Sequence, residues 1–115
     1  MLEVLAAKSH WEVVNPPILV GRSGVRHGFD FVAKNEQDTL AFDICERLSE
    51  NYILSETDVI ETYIKKIDTG ASASIICPNA RMTEGASKLA AEYGLKILRS
   101  DNIQSAFSER GIESK

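Results

Sequence analysis

Hydrophobic and polar positions divide the chain into two halves with different periods. Up to Cys45 the apolar runs are short and strand-like. Trp11-Glu12-Val13-Val14 is stopped by Asn15-Pro16-Pro17, and Ile18-Leu19-Val20 leads into a glycine-rich segment. Phe29-Asp30-Phe31-Val32 and Leu40-Ala41-Phe42-Asp43-Ile44-Cys45 flank a polar turn. From Ser55 the period lengthens. Val59, Ile60, Tyr63, Ile64 and Ile67 fall at i, i+1, i+4, i+5 and i+8, one face of an α-helix, with Ser55 and Asp58 as N-terminal signals and Gly70 as the stop. Ser74-Ile75-Ile76-Cys77 then predicts a buried strand. A small-residue helix starting near Thr83 carries Ala86, Leu89, Ala90 and Tyr93 and ends at Gly94. Leu95-Lys96-Ile97-Leu98 predicts a further strand and Asn102 to Arg110 a short terminal helix. Leu2 to Lys8 has the apolar spacing of a short helix without an N-cap. Tyr52-Ile53-Leu54 either extends the sheet or bridges to the next helix.

This order predicts an α/β fold in one domain spanning residues 1–115. An antiparallel hairpin is followed by strand-helix-strand crossovers, which are right-handed by rule, giving a mixed sheet flanked by helices.

The chemistry lies in the first half. Side chains alternate along a strand, so a turn centred on Glu36-Gln37 sets Asp30 opposite Asp43, with Cβ atoms about 4.5–5.5 Å apart. Two carboxylates at that spacing call for a cation, and hard oxygen donors suit magnesium; hydrogen-bonded acids at strand ends are the plainer alternative. A slip of one residue would send them to opposite faces. The segment from Gly21 to Gly28 carries Arg22, Ser23, Arg26 and His27 among three glycines. Such a loop either offers cations and N–H groups to a phosphate or is a solvated connection.

Composition narrows the field. At 115 residues with 43% hydrophobic and 26% charged residues, the chain has enough apolar material for a core. A formal charge of −4 argues against a whole-surface nucleic-acid binder but not against a local basic patch. Cys45 and Cys77 sit in apolar runs without metal-ligand spacing, which predicts buried free thiols in a reducing cytoplasm. No apolar run approaches ~18 residues and no charged-then-apolar leader opens the chain, so neither a membrane span nor a signal peptide is expected.

The segment Gly21-Arg22-Ser23-Gly24-Val25-Arg26-His27-Gly28-Phe29-Asp30, followed by Asp43 on the adjoining strand, resembles the Gly-x-Ser-Gly-x-x-His-x-Phe-Asp type motif of restriction-endonuclease-like PD-(D/E)XK proteins, nearest to Mrr-type and archaeal members. The resemblance extends over nearly the whole chain in element order. It implies a metal-dependent nuclease site: Asp30 the first metal-binding acid, Asp43 the acid of the second half-motif, magnesium the cofactor and DNA the partner, with the Arg22, Ser23, Arg26 and His27 segment as nucleic-acid contact. The motif lysine expected two residues after the second acid is replaced by Cys45, and a thiol cannot supply that cation. At 100° per residue, Lys66 flanks the apolar stripe of the long helix while Lys65 points nearly opposite to it, which makes Lys66 the candidate migrated lysine; a stem covering the stripe's edge is the simpler role. Two functions follow: a degenerate nuclease-like module that binds nucleic acid or another protein, favoured by the lost lysine, and an active endonuclease using Asp30, Asp43 and Lys66.

Overall fold

The computed structural model describes residues 2–44, 52–77 and 81–99. Ten elements run in the order α1 (Leu2–Lys8), β1 (Glu12–Val13), β2 (Ile18–Val20), β3 (Arg26–Gly28), β4 (Phe31–Lys34), β5 (Thr39–Ile44), α2 (Glu56–Thr69), β6 (Ser72–Ile76), α3 (Glu84–Glu92) and β7 (Lys96–Leu98). The expected terminal helix from Asn102, the segment Cys45–Asn51 and Pro78 lie outside the described residues.

One mixed sheet, in the order β1-β4-β5-β6-β7, organises the domain. β1, β4 and β5 pair antiparallel, whereas β5-β6 and β6-β7 pair parallel through the crossover helices α2 and α3. The first half of the sheet can use a tight turn because its strands reverse; the second half needs helices because its strands do not. Each helix ends where the sequence says. Ser55 caps α2 in a capping box with Asp58, Gly70 closes it at φ 76°, and Thr83 caps α3. Leu54 forms only an isolated bridge to Met82, so its segment joins elements without becoming a strand.

Alternation splits the sheet's side chains between two cores. On one face Phe31, Ala33, Leu40, Phe42, Ile76 and Leu98 pack with Ala6 of α1 and Trp11. On the other, Val32, Ala41 and Ala73 meet Phe29 and Leu19, while Ile75 and Cys77 meet Val59 of α2 and Ala86 and Ala90 of α3. The domain is therefore three-layered, with α1 below the sheet and α2, α3 and a small hairpin above it.

Two expectations are corrected. The glycine-rich segment is not a simple loop: β3 pairs antiparallel with β2, Leu19 opposite His27, in a separate two-stranded hairpin. More consequentially, α2 does not bury the stripe that its periodicity picks out. Val59 and Thr62 are the buried positions, Thr62 at 2% exposure, whereas Ile60, Ile64 and Ile67 are exposed at 46%, 55% and 46%. The helix is turned about a third of a revolution from the apolar prediction. The reason lies beneath it: the sheet presents a carboxylate at Asp43, and the threonine row serves that acid where the isoleucine row could not.

Candidate functional site

The β4-β5 ladder has the register that the turn chemistry requires. Phe31 lies opposite Phe42 and Val32 opposite Ala41, and continuing the alignment by one residue sets Asp30 beside Asp43. Asn35 fixes the turn by accepting N–H bonds from Gln37 and Asp38 at 2.8 and 2.7 Å. Asp30 itself lies one residue outside β4. Its N–H donates to the Phe42 carbonyl, and its Oδ2 accepts the Ile44 N–H at 2.6 Å, so the carboxylate takes the position a further strand residue would have filled. Both acids thus stand at the same end of the hairpin.

Asp43 shares its face with Ala41 and points toward α2. Thr62 Oγ1 donates to its Oδ2 at 2.6 Å, and Lys65 Nζ lies 2.9 Å from Oδ1 and 2.8 Å from Oδ2. The same ammonium donates to the Gly28 carbonyl at 2.9 Å and sits 4.5 Å from the centre of the Phe29 ring. Lysine and aspartate side chains are each about one-fifth exposed (20% and 21%), so the pair is shielded enough for its charges to matter. Lys65, not Lys66, is the lysine that reaches Asp43. Lys66 is half-buried on the same helix. Turned away from its isoleucine row, the helix brings Thr62 and Lys65 to the acid. A sequence signal existed in the spacing Thr62 and Lys65, one donor and one cation three apart on a face lacking large apolar residues. A search for apolar stripes passes over it. Cys45, where the sequence resemblance led one to look for a lysine, lies outside the described residues.

The basic segment folds around an acid of its own. Ser23 donates to Asp68 through its N–H (3.0 Å) and its hydroxyl (2.6 Å), and His27 Nε2 lies 2.8 Å from Asp68 Oδ2. Arg22 donates to the Ile67 carbonyl at 3.1 Å at the end of α2. The bonds from Ser23 and then His27 hold the Asp68 carboxyl well below the usual range, at about 2. Gly21 is required by this clasp, since a Cβ there would lie 1.9 Å from Asp68 Oδ2. Ser23 and His27, expected at a phosphate, therefore spend their donors on a carboxylate. Arg22 and Arg26 are exposed, on the hairpin that Lys65 ties to the acid site through Gly28.

Among the described residues no group of three or more His, Cys, Asp or Glu side chains gathers as a metal-ligand set. Two hard carboxylates are present, which is the protein share that magnesium commonly takes, water and phosphate supplying the rest. No described helix is long and apolar enough to cross a membrane.

No protein-family model matches the sequence, and no curated protein matches it. Among solved structures the chain is similar to the crystal structure of AF1548, a protein of unknown function, with a TM-score of 0.65 and 19% identity over 84% of this chain. The chain spans about half (53%) of that protein's length. At this identity the likeness concerns the fold alone: the mixed α/β arrangement of this chain has a counterpart in a solved structure.

Proposed function

We propose that the chain carries a PD-(D/E)XK-type site for phosphodiester hydrolysis in DNA, in which Asp30 and Asp43 hold magnesium and Lys65 takes the role of the motif lysine. The observation that carries this reading is the position of Lys65 Nζ, within 2.9 Å of both Asp43 oxygens at the hairpin end that Asp30 occupies. When bound, the cation would supply an activated water and neutralise phosphate charge. The chain's own residues do the positioning. Thr62 fixes the Asp43 carboxylate by a hydroxyl bond to Oδ2, leaving a lone pair on Oδ1 beside the one that faces Lys65. Lys65 is held from a second side by Gly28 O, which aims a positive charge at the space where a phosphate oxygen would gain charge. Arg22 and Arg26, exposed on the hairpin joined to the site, supply backbone phosphate contacts.

The test is nicking of supercoiled DNA with magnesium or manganese. Activity is expected from the wild type, and loss of at least about a hundredfold from Asp30→Ala, Asp43→Ala and Lys65→Ala, with Lys66→Ala retaining it. Equal traces from wild type and Asp30→Ala would refute catalysis.

A second reading is favoured by how fully Lys65 is used. An ammonium already bound to Asp43 and Gly28 can substitute for a metal rather than assist one, which describes a nuclease-like domain kept as a nucleic-acid-binding or protein-interaction module. It predicts no metal-dependent NMR shifts at Asp30 and Asp43 up to millimolar magnesium. DNA binding in that case would weaken, and lose salt dependence, in the Arg22→Ala/Arg26→Ala double variant.

A further inference from the structure

The exposed stripe of α2 has no role in the acid site and no neighbour in the described cores. Ile60, Ile64 and Ile67 follow at i, i+4 and i+7, on the surface of a 14-residue helix. Isoleucine is not a favoured residue for an exposed helix position, because its branched Cβ loses rotamers against the preceding turn. Local helix stability therefore gives no reason for three of them. Val25, 54% exposed at the hairpin tip, extends the apolar surface: with Ile64 and Ile67 it lines a shallow hollow of about 380 Å³ bordered by Arg22 and Asp68. A continuous apolar surface of this kind marks an interface more often than free surface.

We propose that a second copy of this chain docks on this face, the two α2 helices crossing antiparallel about a twofold axis that passes beside Ile64. The stripe is self-complementary about that residue, since Ile60 and Ile67 lie on either side and exchange places under the rotation. Charge selects the direction. Thr57 and Glu61 are exposed on the N-terminal half of α2, and at 100° per residue they flank the stripe on the same side as Asp68, where the hairpin is clasped. At the C-terminal end of the stripe the clasped hairpin sets the guanidinium of Arg22 on the Ile67 carbonyl. An antiparallel crossing keeps this side of each helix beside the same side of the other. It carries the partner's hairpin over the polar Thr57 and sets arginine against Glu61 at both ends of the interface. A parallel crossing lays this side against the opposite side of the other helix, so that neither Arg22 meets a Glu61 and both ion pairs are lost. The stripe lies on a different side of α2 from Thr62 and Lys65, so the dimer and the Asp30-Asp43-Lys65 site stand or fall separately, Arg22 being the one residue that both readings use.

Sedimentation equilibrium of the 115-residue chain tests it. The wild type is expected to pass from one chain mass, 12.7 kDa, to twice that mass between about 10 and 500 μM. Ile64→Glu should weaken association at least about a hundredfold while keeping, below about 10 μM where both proteins are monomeric, the wild-type circular dichroism and melting temperature. Orientation is read by cysteine cross-linking in a Cys45→Ser background. Ile64→Cys should cross-link to itself with a short bis-maleimide, Ile60→Cys should cross-link to Ile67→Cys in a mixture, and Ile60→Cys alone should cross-link far more slowly. A wild type that stays monomeric to about 500 μM, or a dimer indifferent to Ile64→Glu, would overturn the proposal and assign the stripe to another segment or partner. Self-cross-linking of Ile60→Cys as fast as Ile64→Cys would overturn the antiparallel arrangement.

Discussion

Replacing Lys65 by methionine tests the central contact of the acid site directly. Methionine keeps most of the aliphatic stem beside the Phe29 ring but removes the ammonium that touches both Asp43 oxygens and Gly28 O. Exposed ion pairs contribute about 0–1 kcal/mol, whereas stripping one partner from a fully buried pair costs about 3–5 kcal/mol. With each side chain about one-fifth exposed, this pair belongs between those limits, and a loss of about 1.5–2.5 kcal/mol is expected for Lys65→Met. The cost arises because Asp43 is left half-shielded beside Asp30, with Thr62 as its remaining donor among the described residues. Urea unfolding followed by circular dichroism measures it, in a cycle with Asp43→Asn. If the pair is held as described, Asp43→Asn should cost much less in the Lys65→Met background, giving a coupling of at least about 1 kcal/mol. Added magnesium should stabilise Lys65→Met more than the wild type, because the divalent ion replaces the missing charge. A coupling below about 0.5 kcal/mol, or equal losses from Lys65→Met and Lys66→Met, would refute the assignment of Lys65 as the cation of this site.

The Asp68 clasp makes stability depend on acid pH. Its folded pKa, about 2 against an ordinary 3.8, is depressed; the stabilisation is thus present above about pH 4 and is lost as pH falls through 4 toward 2. Urea midpoints across that window should fall more steeply for the wild type than for Asp68→Asn, and parallel curves would dismiss the clasp. Gly21→Ala pushes its new methyl into Asp68, so it should destabilise the wild type and do markedly less harm in Asp68→Asn; additive losses would show that the glycine serves something else. Ser55→Ala removes the hydroxyl's two bonds with Asp58, one of them half of the capping box, and should cost about 1 kcal/mol in the same assay, with no loss meaning that the cap is spare.

Sequence determined most of the elements, though not the β2-β3 hairpin, and with them the turn and the register. Asn35 and the flanking Phe-Asp-Phe-Val and Leu-Ala-Phe-Asp alternation admit one alignment that buries Phe31 with Phe42 and Val32 with Ala41, and that alignment carries Asp30 to Asp43. Caps at Ser55, Gly70 and Thr83 were equally legible, because a cap is a contact between residues three or four apart. Only the tertiary structure decided which side of α2 meets the sheet. Hydrophobic spacing favours the isoleucine row, but the surface beneath the helix contains a carboxylate supplied by a strand 19 residues earlier, and Thr62 and Lys65 answer it. The preference of an acid for a donor and a cation outweighed the burial of three isoleucines. Lys65 meets the acid, and the apolar row is left facing outward.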